Sequence, residues 1–219
     1  MTCLDYTALN SVSPLPKSEP RARNKSVCGV GIYNHNAPVA VNGKTTRAYA
    51  AWHDMLVRCY DANLRKKFPT YADCSVVKEW RLFSNFNQWF TENYIEGYDL
   101  DKDILVPGNK VYGPDTCVFV SHALNSLLTD RGGCTGEHPL GVHFRKERQK
   151  YVARISTEKG RVYLGSFPTP LEAHRAWQLA KADILESFPT DNPRVRKALD
   201  LRALQLRTDH AHGRITNKL

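Results

Sequence analysis

The sequence predicts an α+β protein, and three observations carry that expectation. Apolar and aromatic residues recur at helical spacing over 47–60 and again over 77–90. Three short segments between 139 and 167 alternate apolar and polar residues with the period of strands. Directly after them, Thr169 and Glu172 form a capping box, with Pro170 at the favoured first helical position. At 219 residues the chain has room for two small domains, and 42% hydrophobic residues supply real cores.

In chain order, residues 1–25 are polar and proline-dotted and read as a flexible basic leader. SVCGVGIY, 26–33, has strand composition, and AVNGK at 40–44 carries an Asn-Gly turn. RAYAAWHDMLVRCY forms a helix with Tyr49, Trp52, Met55, Leu56 and Cys59 on one side. VVKEWRLFSNFNQWFTEN forms a second, with Val77, Trp80, Phe83, Phe86, Trp89 and Phe90 aligned, ended by Gly97. Their tryptophans belong in a shared aromatic core. Next come a strand at 99–106, the connector PGNKVYGPDT, a strand at 117–120 and a short helix capped by Ser121, which is a ββα order. The glycine-rich stretch 131–138 is a natural hinge between a domain at 26–130 and another at 139–190. In the last module, Ala173, Ala176, Trp177, Ala180 and Ile184 make the apolar face of its helix, and a basic helix and tail fill 191–219.

The net charge of +9 favours a polyanionic partner, and its placement matters more than its size. Seven Lys/Arg lie between Gly141 and Gly165 against Glu147 and Glu158, and seven more between Asp191 and Leu219 against three Asp. No stretch approaches the roughly 18 apolar residues of a membrane span. The polar start lacks a signal-peptide core, so the expected location is the cytoplasm, the host's if the protein is phage-encoded. The six cysteines form no C-x2–4-C pair, which disfavours a zinc knuckle and predicts reduced, partly buried thiols.

Strand alternation in 142–164 sorts side chains onto two faces. Val142, Phe144, Tyr151, Ala153, Ile155, Val162 and Leu164 point toward the helix. His143, Arg145, Val152, Arg154, Ser156, Arg161 and Tyr163 point away, and Lys150 stands beside them. A basic sheet face of this kind suits a major groove, where arginine bonds guanine with two hydrogen bonds.

GVHFRKERQKYVARI, GRVYLGSF and TPLEAHRAWQLAK together resemble the plant ethylene-response-factor (APETALA-type) DNA-binding domain, a module found also in phage and mobile-element proteins. The resemblance runs across 139–190, and LGSF with EAHRAW is its most specific part. It implies a three-stranded antiparallel sheet packed on one helix, with the sheet reading double-stranded DNA. By position it assigns DNA contacts to His143, Arg145, Lys150, Arg154, Ser156, Arg161 and Tyr163. His143 stands where that family has arginine, Arg154 where it has glutamate and Tyr163 where it has tryptophan, so the target sequence does not carry over.

WHDMLVRCY, EWRLFSNFNQWF, LDKDI, GNKVYGPDTCVFV and the short helix with Asn125 resemble phage-type HNH endonucleases fused to such domains. The resemblance implies a ββα-metal site with one divalent cation, Mg2+ or alternatively Mn2+. It assigns metal ligation to Asp101 and Asn125, places Asn109 in the connector, and sets Thr116 where the motif has its middle asparagine. Lys102 occupies the position of the general-base histidine. Three alternatives follow: Asp103 or His122 supplies the base, Lys102 stabilises charge in a metal-assisted cut, or the site is inert. The expected function is a DNA-binding, metal-dependent endonuclease of a phage or mobile element. Two competitors stand beside it: a non-cleaving DNA-binding regulator on a degenerate fold, and a protein that binds a host protein.

Overall fold

The computed structural model describes residues 26–35, 38–128, 137–158 and 160–219. The expected leader, Cys3, Cys134 and most of the glycine-rich hinge lie outside the described residues.

The strand expected over 26–33 does not form. Val27 to Gly31 close a tight turn, and Ile32 makes only a bridge to Leu82. Gly31 is pressed on Trp52 and Leu56, where a methyl group would fall against both side chains. The Asn-Gly hairpin forms as read: β1 (Ala40–Val41) pairs with β2 (Lys44–Thr45), and Asn42 and Gly43 both take positive φ. Helix α1 (Arg47–Tyr60) starts on the Thr46 cap, and Asp61 ends it and caps α2 (Ala62–Lys67).

The single helix expected over 76–93 is broken. After β3 (Ser75–Val76) a 3-10 turn spans Glu79–Arg81, Leu82 is extended, and α3 covers Phe83–Asn93. The break has a cause distant in sequence. Ile32 donates to the Arg81 carbonyl and accepts from the Phe83 N–H, which removes both groups from a helical ladder. Asn34 then caps α3 by accepting from the Ser84 N–H at 2.9 Å. Trp52, Met55, Leu56 and Cys59 of α1 pack with Trp80, Phe83, Phe86 and Phe90 in one aromatic core. The Trp52 indole donates to the Trp80 carbonyl at 2.7 Å. Cys59, Cys74 and Cys117 are free and buried, and burial pushes the Cys59 and Cys117 thiols up to about 12.

The ββα order is present with a shorter first strand. β4 (Tyr98–Asp101) pairs antiparallel with β6 (Val118–Ser121), and α4 (His122–Leu128) follows with Ser121 accepting from the Leu124 N–H. Between them β5 (Val111–Tyr112) pairs parallel with β3. The strand expected over 99–106 stops early because the Asp101 carboxylate accepts from the N–H groups of Asp103 and Ile104 at 2.8 and 2.7 Å. That turn takes the backbone out of the ladder.

The last module has the expected three-stranded antiparallel sheet, β7 (Val142–Arg145), β8 (Lys150–Thr157) and β9 (Gly160–Phe167), with β8 central. Helix α5 (Pro170–Ser187) carries the full capping box and packs across all three strands. Helix α6 (Pro193–Ala211) lies against α5. One apolar cluster joins Ile104, Val118, Val120 and Leu124 to Leu140, Ile155, Trp177, Leu185, Leu199 and Leu206. The basic helix expected in 191–219 therefore forms and also buries an apolar face in this core. Among the described residues no helix is long and apolar enough to cross a membrane.

Candidate nucleic-acid interface and adjoining cleft

Strand register decides which side chains share a face, because directly paired residues point the same way. His143 pairs with Val152 and Arg145 with Lys150; across β8, Arg154 pairs with Tyr163, Ser156 with Arg161 and Val152 with Ser166. All seven residues assigned to DNA contact thus lie on the face away from α5. A bulge opposite Ala153 and Arg154 leaves Leu164 as an extra residue, so Leu164 and Gly165 fall on the core side together. The phase resets there, and Phe167 joins Tyr151 and Leu164 in the core. Gly165 holds φ 145° at this point, a conformation that favours glycine.

The outer face is open. His143, Arg145, Lys150, Ser156, Arg161 and Tyr163 are exposed and Arg154 is half-buried. Val152, in the middle of the face, is buried. Among the described residues, no carboxylate pairs with Arg145, Lys150, Arg154 or Arg161. The positive field is felt by His143, held below its ordinary value by burial and by the charges of Arg154 and Arg161.

Trp177 fixes this sheet on α5. It is 2% exposed, stacks on His174 with centroids 5.4 Å apart, and lies against Gly141. His174 is also buried; its Nδ1 meets the Leu140 carbonyl at 2.9 Å and its Nε2 accepts from the Thr216 N–H at 3.0 Å. Gln178 donates to the Arg214 carbonyl and the Thr216 hydroxyl, and Lys181 to the Leu127 carbonyl. Sequence reasoning placed an apolar stripe on α5 and missed this second, polar buried face. Its partners lie 34 to 54 positions away, and no local pattern signals them.

Asp101, Lys102, Asp103 and Asn125 line one cleft of about 840 Å3, together with Arg58, Lys110, Arg202 and Lys218. Lys102 is 8% exposed, and its ammonium lies 3.1 Å from the Asp103 carboxylate. Burial opposes that charge most strongly, but Asp103, Cys74 and Asp101 together outweigh it and the Lys102 pKa is raised, the wrong direction for a proton acceptor. Burial, then the charge of Asp103, raises the Asp101 carboxyl. Asn109 does not line the cleft: its amide donates to the Lys102 and Val111 carbonyls at 2.7 Å each, pinning the connector beneath it. Thr116 helps by donating to the Val111 carbonyl. His122 also stands outside the cleft, exposed and 3.6 Å from Asp99.

As cation ligands, Asp101, Asp103 and Asn125 offer only oxygen donors, and no cluster of three His, Cys, Asp or Glu able to hold a metal occurs among the described residues. Oxygen donors of this kind are what a hard cation such as Mg2+ takes, with waters and a substrate phosphate completing its shell. Here, however, one Asp101 oxygen already accepts two backbone N–H groups and Asp103 pairs with Lys102. Comparison of the chain with protein-family models, curated proteins and solved structures gives no match.

Proposed function

We propose that this chain binds double-stranded DNA in a sequence-directed way through the outer face of β7–β9. The observation that carries the reading is an exposed sheet face bearing Arg145, Lys150, Arg154 and Arg161 without ion-pair partners among the described residues. Three strands make a face about 10 Å across, within the roughly 12 Å width of a major groove. Arginines there can bond base edges, while lysines hold phosphates without reading sequence. The test is selection of bound duplexes from a random pool, followed by affinity measurements on the selected site. Arg145→Ala and Arg161→Ala each weaken specific binding by roughly 1–3 kcal/mol. Equal binding by parent and variants removes the reading.

A second reading, that the protein is also a metal-dependent DNA endonuclease of the HNH type, is favoured by the gathering of Asp101, Asp103 and Asn125 in one cleft over a connector pinned by Asn109. A divalent cation held there would stabilise the leaving oxygen of a phosphodiester. Lys102, kept charged by Asp103, would offset charge on the phosphate rather than take a proton. Supercoiled plasmid nicked with Mg2+ or Mn2+, and left intact by the Asn125→Ala variant, supports this reading. DNA binding without metal-dependent nicking leaves a regulator.

A further inference from the structure

We infer that the cleft beside Asp101–Asp103 is a phosphate site that takes a backbone phosphodiester of DNA, with Arg202 of α6 as its buried anchor. The inference rests on the reading that the chain binds DNA, and it names the residues of this cleft that hold the backbone, with or without a metal-dependent cut.

Arg202 is the observation that stands out. Its side chain is 4% exposed and lines the cleft. Nη1 donates to the Ala198 carbonyl and Nη2 to the Asp103 carbonyl, each at 3.0 Å. Nε is buried and has no hydrogen-bond partner. No carboxylate forms an ion pair with this guanidinium among the described residues. Asp103 and Asp101 act on this charge only from beyond ion-pair distance. A buried cation with no direct ion pair and a missing hydrogen bond is costly, a cost that an anion relieves. The planar guanidinium is suited to phosphate oxygens.

The surroundings point the same way. Lys110 donates to the Thr70 carbonyl at the cleft, Arg58 and Tyr112 both line it, and Lys218 stands 3.9 Å from where a side chain on Gly108 would begin. Five cationic side chains line the cleft against two carboxylates, Asp101 and Asp103, and Asp103 is already paired with Lys102. These cations come from α1, the turn after β4, the connector, α6 and the segment after it. Supplied by separate segments of the chain to one cleft of about 840 Å3, they suit the repeated single charges of a nucleic-acid backbone. The bond from Arg202 to the Asp103 carbonyl also makes α6 the support for the loop that carries the acidic residues.

The test is NMR on the full chain, following the Arg202 Nε–H resonance and the sheet amides during titration with inorganic phosphate and, separately, with a short duplex. Duplex binding shifts Arg202 Nε–H saturably. The Lys110→Gln/Lys218→Gln variant, altered only at cleft-edge lysines, weakens that response at least threefold. Arg145→Ala/Arg161→Ala leaves the response to phosphate unchanged. A duplex that shifts the sheet but not Arg202 overturns the inference and leaves the sheet reading intact. A duplex that shifts Arg202 but not the sheet does the reverse. A response to inorganic phosphate alone overturns the assignment to a DNA backbone, and no response to either probe overturns the site.

Discussion

Replacing Gly141 by alanine tests the joint on which the DNA-binding face depends. Gly141 has φ +76°, and a Cβ there would fall inside the Trp177 indole, 2.6 Å from Nε1 and closer still to Cδ1 and Cγ. The ring has little freedom to retreat. It is buried, stacked on His174, and has the Lys181 ammonium 5.6 Å from its centroid. The left-handed backbone costs an alanine about 1 kcal/mol, and overpacking a closed site adds roughly 1–3 kcal/mol or more. The sum is about 2–4 kcal/mol, which for a chain of this size corresponds to a fall in Tm of roughly 5–15 °C. Gly213 is the control: it ends α6 at φ +64° with nothing within 4 Å of an added Cβ, so alanine there meets only the backbone cost. Urea and thermal unfolding, followed by tryptophan fluorescence, measure both variants. If Gly141→Ala costs no more than Gly213→Ala, Trp177 does not seat against β7 and the sheet–helix packing described above is wrong.

Three further predictions follow from the titrating and loop-holding residues. Burial, against weaker opposition from the Leu140 carbonyl and Asp209, holds His174 below its ordinary 6.5, so the unfolded chain takes up its proton first. The stability this gives is present above about pH 6.5 and is lost as pH falls from there through the folded value; His174→Gln flattens that limb in urea titrations at stepped pH. His143, held low by burial and its arginine neighbours, regains protons when phosphates approach, so DNA affinity rises as pH falls from 7.5 to 5.5. A His143→Gln variant with the same pH slope in anisotropy measurements would exclude that residue from the interface. Asn109→Ala removes two donors and one acceptor from the connector backbone and costs about 1–3 kcal/mol, read as faster hydrogen exchange over 102–111. Unchanged protection there would show that the connector is held by other means.

Features that rest on neighbouring residues were legible before any coordinates. The Asn-Gly hairpin, the Ser121 cap, the Thr169–Glu172 capping box and the two-faced alternation of β7 and β8 all arise within a few residues. The aromatic spacing of α1 and α3 marked their core faces. The break at Leu82 was hidden because Ile32, some fifty positions earlier in the chain, takes the backbone groups of Arg81 and Phe83. The early end of β4 depended on where one carboxylate, Asp101, spends its oxygen. On the candidate site, Asp101, Asp103, Lys102 and Asn125 were named from pattern, but Arg58, Lys110, Arg202 and Lys218 were not.

Periodicity and capping, carried by side chains a few positions apart, marked α1, α5 and the strands β7–β9 and showed which cations share a sheet face. The chain fold decided what each face meets. Helix α6, basic by composition, buries Val195, Leu199, Arg202 and Leu206, and the polar side of α5 is closed by residues from 214 to 216. Burial is a property of distant pairs brought together, and a string of residues read locally records the partners but not their meeting.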